Sequence, residues 1–405
     1  MTVASTVVLL FAIAMGVAMV TRRLPIPYTV ALVIVGLMLG ATRIVPAPHL
    51  TKELLYVALL PGLLFEAAFH LDARDFWRDK VTIVGLAVPG VLVSIALTTA
   101  LLSVAAGAVG LPTSFSWRGA LVFSALIAAT DPIAVVALFR TLGAPKRLVV
   151  VVEAESLLND GTAVVFYAMA LGLATGSGVS AWGATAEFAR VVGLGLLVGA
   201  ALGFGISELI ARIDDPLVEI TLTTIAAYGS FVLAEQLRAS GVLATVTAGV
   251  LCGSYGAPRG MSASTRIAVQ SFWSYVAFAL NSFVFLLIGF QVEIKRLLYA
   301  WGAILFAYAA VMATRAVIVF LMASATRRTR EAAPWSYSVI VAWGGLRGAL
   351  SMVLALSLAE GFPGRELVEE LTFGVVLLSI LVNGVTVGPL LRRLGLVEAA
   401  SARRP

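Results

Sequence analysis

Two aspartates stand inside apolar stretches long enough to cross a bilayer: Asp131 in ALIAATDPIAVVAL and Asp160 in EAESLLNDGTAVVFYAMAL. A carboxylate near the centre of a membrane helix costs about 2.5–3.5 kcal/mol on insertion scales, so an intramembrane acid marks a functional site. The run VVVVEAESLLNDG has no proline and reads as an unbroken helix. On it Ser156 and Asp160 share one face, and Glu155 and Asn159 share the next. A hydroxyl, an amide and two carboxylates are the oxygen donors that hard monovalent cations prefer to nitrogen or sulfur. Polar groups can also serve only to bind helices together in a bundle, but this helix is more polar than that role requires.

The stretch holding Asp131 has a different character. Pro132 lacks an N–H and its ring clashes with the carbonyl four residues back, so the helix is expected to open near Ala128 and free that oxygen. Asp131, just before the proline, is also pushed out of helical geometry. Opened backbone cannot face lipid and must pack in protein or line a polar cavity. A simple proline kink is the plain alternative, and the adjacent Thr130 and Asp131 argue against it.

Buried carboxylates stay ionised only beside fixed positive charge. Arg315 in YAAVMATRAVIVFLM and Arg347 in GGLRGAL supply it, and arginine does not deprotonate in proteins. Arg315 is assigned to Glu155 as a structural ion pair. Arg347 is assigned to the broken ends of its own span and to Asp131, the alternative being an arginine that snorkels to the interface. Glu66 in LPGLLFEAAFHLD either adds an oxygen to a cation path or caps a helix end near His70 and Asp72. Glu153, Glu219 and Glu235 are expected at interfaces, outside the site.

The elements that position these residues follow from composition. The 405 residues are 60% hydrophobic and 12% charged, and the mean hydropathy of +1.01 is that of a polytopic membrane protein. One cysteine excludes an internal disulfide, and two histidines make a histidine-held metal or a Ser-His-Asp triad implausible. No cofactor is expected. The +6 formal charge resides in short loops, where it orients the chain, and nucleic-acid binding is not expected. The first apolar run lacks the charge and cleavage site of a signal peptide.

Apolar runs of roughly 20 residues number about thirteen, near 3–20, 28–45, 53–70, 82–108, 117–139, 147–172, 187–210, 216–237, 240–255, 266–291, 298–325, 335–359 and 368–391. About 18 of the 28 Lys and Arg then fall on one side, which predicts an outside N-terminus and a cytoplasmic C-terminus. Residues 1–395 read as a single transmembrane domain and 396–405 as a short cytoplasmic tail. The interrupted fifth span and Asn159-Asp160-Gly161 of the sixth are echoed by the interrupted twelfth, GGLRG, and Val382-Asn383-Gly384 of the thirteenth. An offset of seven spans places the copies in opposite orientation, the signature of inverted-topology repeats, spans 1–6 and 8–13, with a site between two interrupted helices.

The strings LLFEAAFHLD, ATDPIAVV, EAESLLNDGTAVV and GGLRGALS, in this order and in these spans, resemble the cation/proton antiporters of the NhaP and NHE type. The resemblance implies an all-α NhaA-like fold with two interrupted crossing helices, and a homodimer whose protomers have a dimerisation part and a six-helix core. It implies Asp160 as the ion-binding carboxylate, with Thr130, Asp131 and Ser156 near it, and a stabilising Glu155–Arg315 pair. The expected ion set is Asp160, Asp131, Ser156, Thr130, Asn159 and Glu66, with Asp160, Ser156 and Thr130 as Na⁺ ligands and Arg347 compensating a helix break. Asn159 before Asp160 resembles the electroneutral branch. The implied activity is exchange of Na⁺ or Li⁺ for H⁺ in a cell membrane, with a K⁺/H⁺ antiporter as the alternative. An intramembrane aspartyl protease would need a GxGD string, which is absent, and a channel wants repeated weak sites along a continuous path.

Overall fold

The computed structural model describes residues 3–21, 27–42, 54–105, 107, 115–176 and 180–397. Arg22, Arg23, His49, Arg403, Arg404 and the tail beyond 397 lie outside the described residues. Among the described residues there is no strand. The helices are α1 (Val3–Thr21), α2 (Tyr28–Thr42), α3 (Leu60–His70), α4 (Ala73–Arg78), α5 (Lys80–Gly85), α6 (Val91–Ala105), α7 (Trp117–Leu126), α8 (Ile133–Leu142), α9 (Lys146–Thr175) and α10 (Ala181–Ile210). They continue with α11 (Pro216–Gln236), α12 (Gly241–Leu251), α13 (Ala257–Gly260), α14 (Ala263–Gln291), α15 (Ile294–Tyr299), α16 (Trp301–Thr326), α17 (Trp335–Trp343), α18 (Ala349–Leu356), α19 (Arg365–Leu378) and α20 (Gly384–Arg393). Wider π turns at Leu86–Gly90, Cys252–Gly256 and Ser379–Asn383 join neighbouring helices into longer rods, and another at Leu54–Leu59 leads into α3.

Seven of these rods are long and apolar enough to cross a membrane: Lys80–Ala105, Lys146–Thr175, Trp182–Ile210, Pro216–Gln236, Ala263–Gln291, Trp301–Thr326 and Arg365–Arg393. The other expected runs correspond to shorter helices, and two of those runs are split, into α7 with α8 and α17 with α18. The chain is a multi-pass integral membrane protein of all-helical class.

By its internal packing the chain forms two compact units. The first takes residues 1–49, 79–156 and 282–405, and so contains both split helices and the start of α9. Its core includes Val135, Phe139, Leu148, Val152, Ile340, Leu346 and Leu391. At the start of α9, Arg147 donates to both carboxylate oxygens of Asp79 and to the carbonyls of Glu331 and Ala332. The Glu331 carboxylate in turn accepts the N–H groups of Val81 and Thr82, satisfying two orphan donors in the first turn of α5.

The second unit takes residues 50–78 and 157–281. Its core gathers Phe65, Phe69, Ile210, Ala227, Ala248 and Trp273, with the indole N–H of Trp273 donating to Thr223. Gly195, Gly199 and Gly203, four apart on one face of α10, let that helix press against the backbone of Ser240, Ala244 and Ala248. Apolar tails offer helices no hydrophobic incentive to associate, so close van der Waals approach at small residues carries the association.

A Cβ added at Gly199 would stand 2.2 Å from the Ala244 carbonyl oxygen, which is backbone and cannot rotate away. Gly199→Ala is therefore expected to cost about 1–3 kcal/mol by overpacking, seen as a lower unfolding temperature in detergent. Gly193→Ala, whose added Cβ meets nothing within 4 Å, is the matched control and leaves that temperature unchanged.

Candidate functional site

The site begins with what Pro132 does to its helix. α7 ends at Leu126, residues 127–132 are open, and α8 starts at Ile133. The freed carbonyls of Ala128 and Ala129 accept the Nη1 of Arg347 at 2.8 and 3.1 Å. In the opposite direction, the N–H of Asp131 donates to the Leu346 carbonyl at 2.8 Å. The two split helices thus meet at their interruptions and satisfy each other's backbone. Arg347, buried to 2% exposure, reaches across to the ends of the other split helix. The assignment to its own broken span and to the Asp131 carboxylate is corrected: at the C-terminal end of α7 the carbonyls are orphaned and carry partial negative charge, the better partner for a guanidinium.

Asp131 faces helix N-termini instead. Its Oδ1 accepts the N–H of Ile133 at 3.0 Å, in the first turn of α8. Its side chain also lies so close to Gly348, just before α18, that a Cβ there would be 2.3 Å from Asp131 Oδ2. Positive helix ends stabilise such a carboxylate. Thr130 turns the other way, and its hydroxyl meets that of Ser156 on α9 at 3.0 Å with both residues buried. One turn further along α9 come Asn159, buried, and Asp160, half-buried. The Asn159 carbonyl accepts the Thr162 hydroxyl at 3.1 Å.

Glu155 points to a different neighbour. Both of its oxygens accept from Arg315, Nη1 and Nη2, at 2.8 Å each, the fork-to-fork geometry that arginine and carboxylate favour. Arg315 Nη2 adds a longer bond to the Val341 carbonyl on α17 at 3.3 Å, and Gly345 leaves room for the guanidinium in the second interruption. Glu66 lies on α3 in the second unit, where His70 Nδ1 approaches its Oε1 at 3.3 Å and its carbonyl at 2.9 Å.

Two acids expected at interfaces are buried. Glu153 forms a doubly bonded pair with Arg140 at 2.9 and 3.0 Å, fastening α8 to α9, and Glu219 is fully buried in the first turn of α11. Position near the end of an apolar run does not reveal which way a side chain points. A further polar group, which the sequence shows only as part of the echo, is Asn383. Asn383 donates Nδ2 to the Trp343 carbonyl at 2.8 Å and accepts the Tyr308 hydroxyl. Near it, Ser379 Oγ accepts the N–H of Arg347 at 3.0 Å.

Two helices opened at mid-length, held together by a buried arginine and flanked by an acid-bearing continuous helix, define a polytopic transporter rather than an enzyme. Residues 7–393 match the family described as "Sodium/hydrogen exchanger, transmembrane", and the chain belongs to that family. It is 40% identical over 381 residues to the Na(+)/H(+) antiporter ApNhaP of Aphanothece halophytica, covering 94% of this chain and 72% of that protein. It is 39% identical to the Na(+)/H(+) antiporter NhaP of Pseudomonas aeruginosa, covering 85% and 81%. The fold matches that of the sodium proton antiporter MjNhaP1 from Methanocaldococcus jannaschii, with a TM-score of 0.78 at 21% identity over 96% of this chain and 98% of that one.

The buried pair generates a test. Glu155→Ala or Arg315→Ala alone is expected to cost about 3–5 kcal/mol, because each leaves the other charge without its counter-ion. The double variant should lose less than the sum of the two, and thermal unfolding of all four proteins in one detergent measures the coupling.

Proposed function

We propose that this chain is a secondary active antiporter that exchanges Na⁺, or Li⁺, for H⁺, with Asp160 as the group that holds one or the other. The observation that carries the reading is the contact of Thr130 with Ser156 at the open backbone of the first interruption, one helical turn from Asp160 on α9. A cation entering there meets two hydroxyls, the carboxylate of Asp160 and backbone oxygens, a hard oxygen set suited to Na⁺. Thr130, Ser156 and Asp160 are its ligands in this reading. Asn159 and Asp131 complete the proposed ion set, Asp131 also lying against the starts of α8 and α18. Glu66 is retained in the proposed ion-binding set. The named relatives are sodium antiporters, which favours Na⁺ over the K⁺ alternative.

Only one carboxylate is needed for coupling. Asp160 carrying a proton or a cation is neutral and can cross, whereas the bare anion stays because moving it into the apolar core is too costly. Glu155 takes no part in the trade, since both of its oxygens are engaged by Arg315. With Asn159 in place of a second acid, one positive charge moves in each direction and the cycle is electroneutral. The chain works as a homodimer in a cell membrane, with its N-terminus outside and its C-terminus in the cytoplasm.

Asp160→Asn keeps shape and hydrogen bonding but cannot trade a proton for a cation. It is expected to insert and fold normally and to abolish exchange, measured as cation-dependent dequenching of a pH dye in proteoliposomes with Na⁺, Li⁺ and K⁺ in turn. Residual coupled flux comparable to wild type would remove Asp160 from this role.

Competition gives a second, independent outcome. Below the pKa of the site, apparent Na⁺ affinity should weaken toward about tenfold per pH unit, because protons and Na⁺ exclude each other by mass action. The sign is fixed: lowering the pH fills the site with protons, so more Na⁺ is needed. Half-saturating Na⁺ measured across the active pH range checks this, and an imposed K⁺/valinomycin potential should leave the exchange equilibrium unmoved.

A further inference from the structure

The helices that follow the two interruptions carry one short string twice. Ser156-Leu157-Leu158-Asn159-Asp160-Gly161 follows the first, and Ser379-Ile380-Leu381-Val382-Asn383-Gly384 follows the second. In each copy the serine and the residue four later lie on one face, and in each the serine touches the neighbouring break. Ser156 meets Thr130 at 3.0 Å, and Ser379 accepts the Arg347 N–H at 3.0 Å. The copies differ at the decisive atom. The first ends in the carboxylate of Asp160 and the second in the amide of Asn383.

That amide is matched at both ends. Nδ2 donates at 2.8 Å to the carbonyl of Trp343, the last residue of α17, with Met312 Sδ 3.5 Å away, and Oδ1 accepts the Tyr308 hydroxyl. Asn383 is fully buried. The Trp343 carbonyl is one of the oxygens a helix end leaves without an intrahelical partner, and inside a membrane such an oxygen must be supplied by a neighbouring group. A neutral amide supplies it permanently.

We propose that Asn383 is a positioning residue for exchange: in the second copy its amide fills the place that a carboxylate and its exchangeable charge take in the first. The second interruption is thereby fixed, and only the first trades ions. The inference rests on Asp160 being the exchanging group. Its reach to the first interruption, where Thr130 meets Ser156 one turn before Asp160 on α9, is a chain of contacts. Asn383 holds Trp343, Ser379 holds Arg347, and Arg347 holds the Ala128 and Ala129 carbonyls beside Thr130. Tyr308 is the titratable group bonded to the amide. The elements packed on this segment add Arg315 on α16, Arg347 in the break and Tyr28 on α2, while Glu366, Glu369 and Glu370 sit in the first turns of α19, away from Ser379.

The test compares Asn383→Asp, Asn383→Ala and wild type in proteoliposomes over the active pH range, with Asp160→Asn in parallel. Protonated, an aspartate at 383 can still donate to the Trp343 carbonyl; ionised, it repels that oxygen. Asn383→Asp should therefore approach wild-type turnover at the acidic end and fall at least about tenfold below it at the alkaline end, the factor expected for losing a buried partner. Asn383→Ala should be slower by a similar factor at every pH, with a flat ratio to wild type. If Asn383→Ala does not assemble, Tyr308→Phe removes one hydroxyl from the same amide and should slow turnover by about threefold. A flat Asn383→Asp ratio, or wild-type turnover in the alanine or phenylalanine variant, overturns the proposal. If Asp160→Asn exchanges normally, the underlying assignment fails, which is a separate result.

Discussion

Every backbone group that leaves a helix inside a bilayer must find a partner within the protein, because lipid offers none. Two helices of this chain are opened at mid-length, and the solution is reciprocal. The guanidinium of Arg347 takes two carbonyls freed by the first break, and the carbonyl of Leu346, beside it, takes the N–H of Asp131. The remaining features of the site hang on that exchange. Thr130 can offer its hydroxyl to Ser156 only because residues 127–132 are out of the helix, and they stay out because the other break supplies their partners.

Charge is distributed by the same logic. A helix end is a partial charge, and each break exposes one end of each sign. Arg347 lies against carbonyls, and Asp131 lies against the starts of α8 and α18. Glu155 and Arg315 meet in a doubly bonded pair, so each charge has its counter-ion within 2.8 Å. One turn beyond Ser156, α9 carries Asp160.

Away from the breaks, association relies on small residues and on ionic fastenings at helix ends. The glycines of α10 bring it against the backbone of α12, and Arg147 ties the start of α9 to Asp79 and to the segment between α16 and α17. The second fastening sits on the helix that carries the acid. It anchors that helix at one end, while the contacts at Ser156 and Glu155 fix it at mid-length.

Much of this was legible in the chain itself. Hydropathy and length determine the all-helical membrane class, Pro132 determines where its helix opens, and the four-residue spacing of Ser156 and Asp160 places them on one face of α9. These are local consequences of covalent geometry and of helical period, which a sequence states directly. The partners were not legible, because a partner is a matter of which helix faces which. Arg347 bonds the end of the other split helix, Glu153 and Glu219 are buried though they lie near the ends of apolar runs, and the sequence shows Asn383 only as an echo of the string around Asp160. Those outcomes depend on the rotation of each helix about its axis, which shifts by about 100° for each residue of phase. Only the packed structure decides that angle.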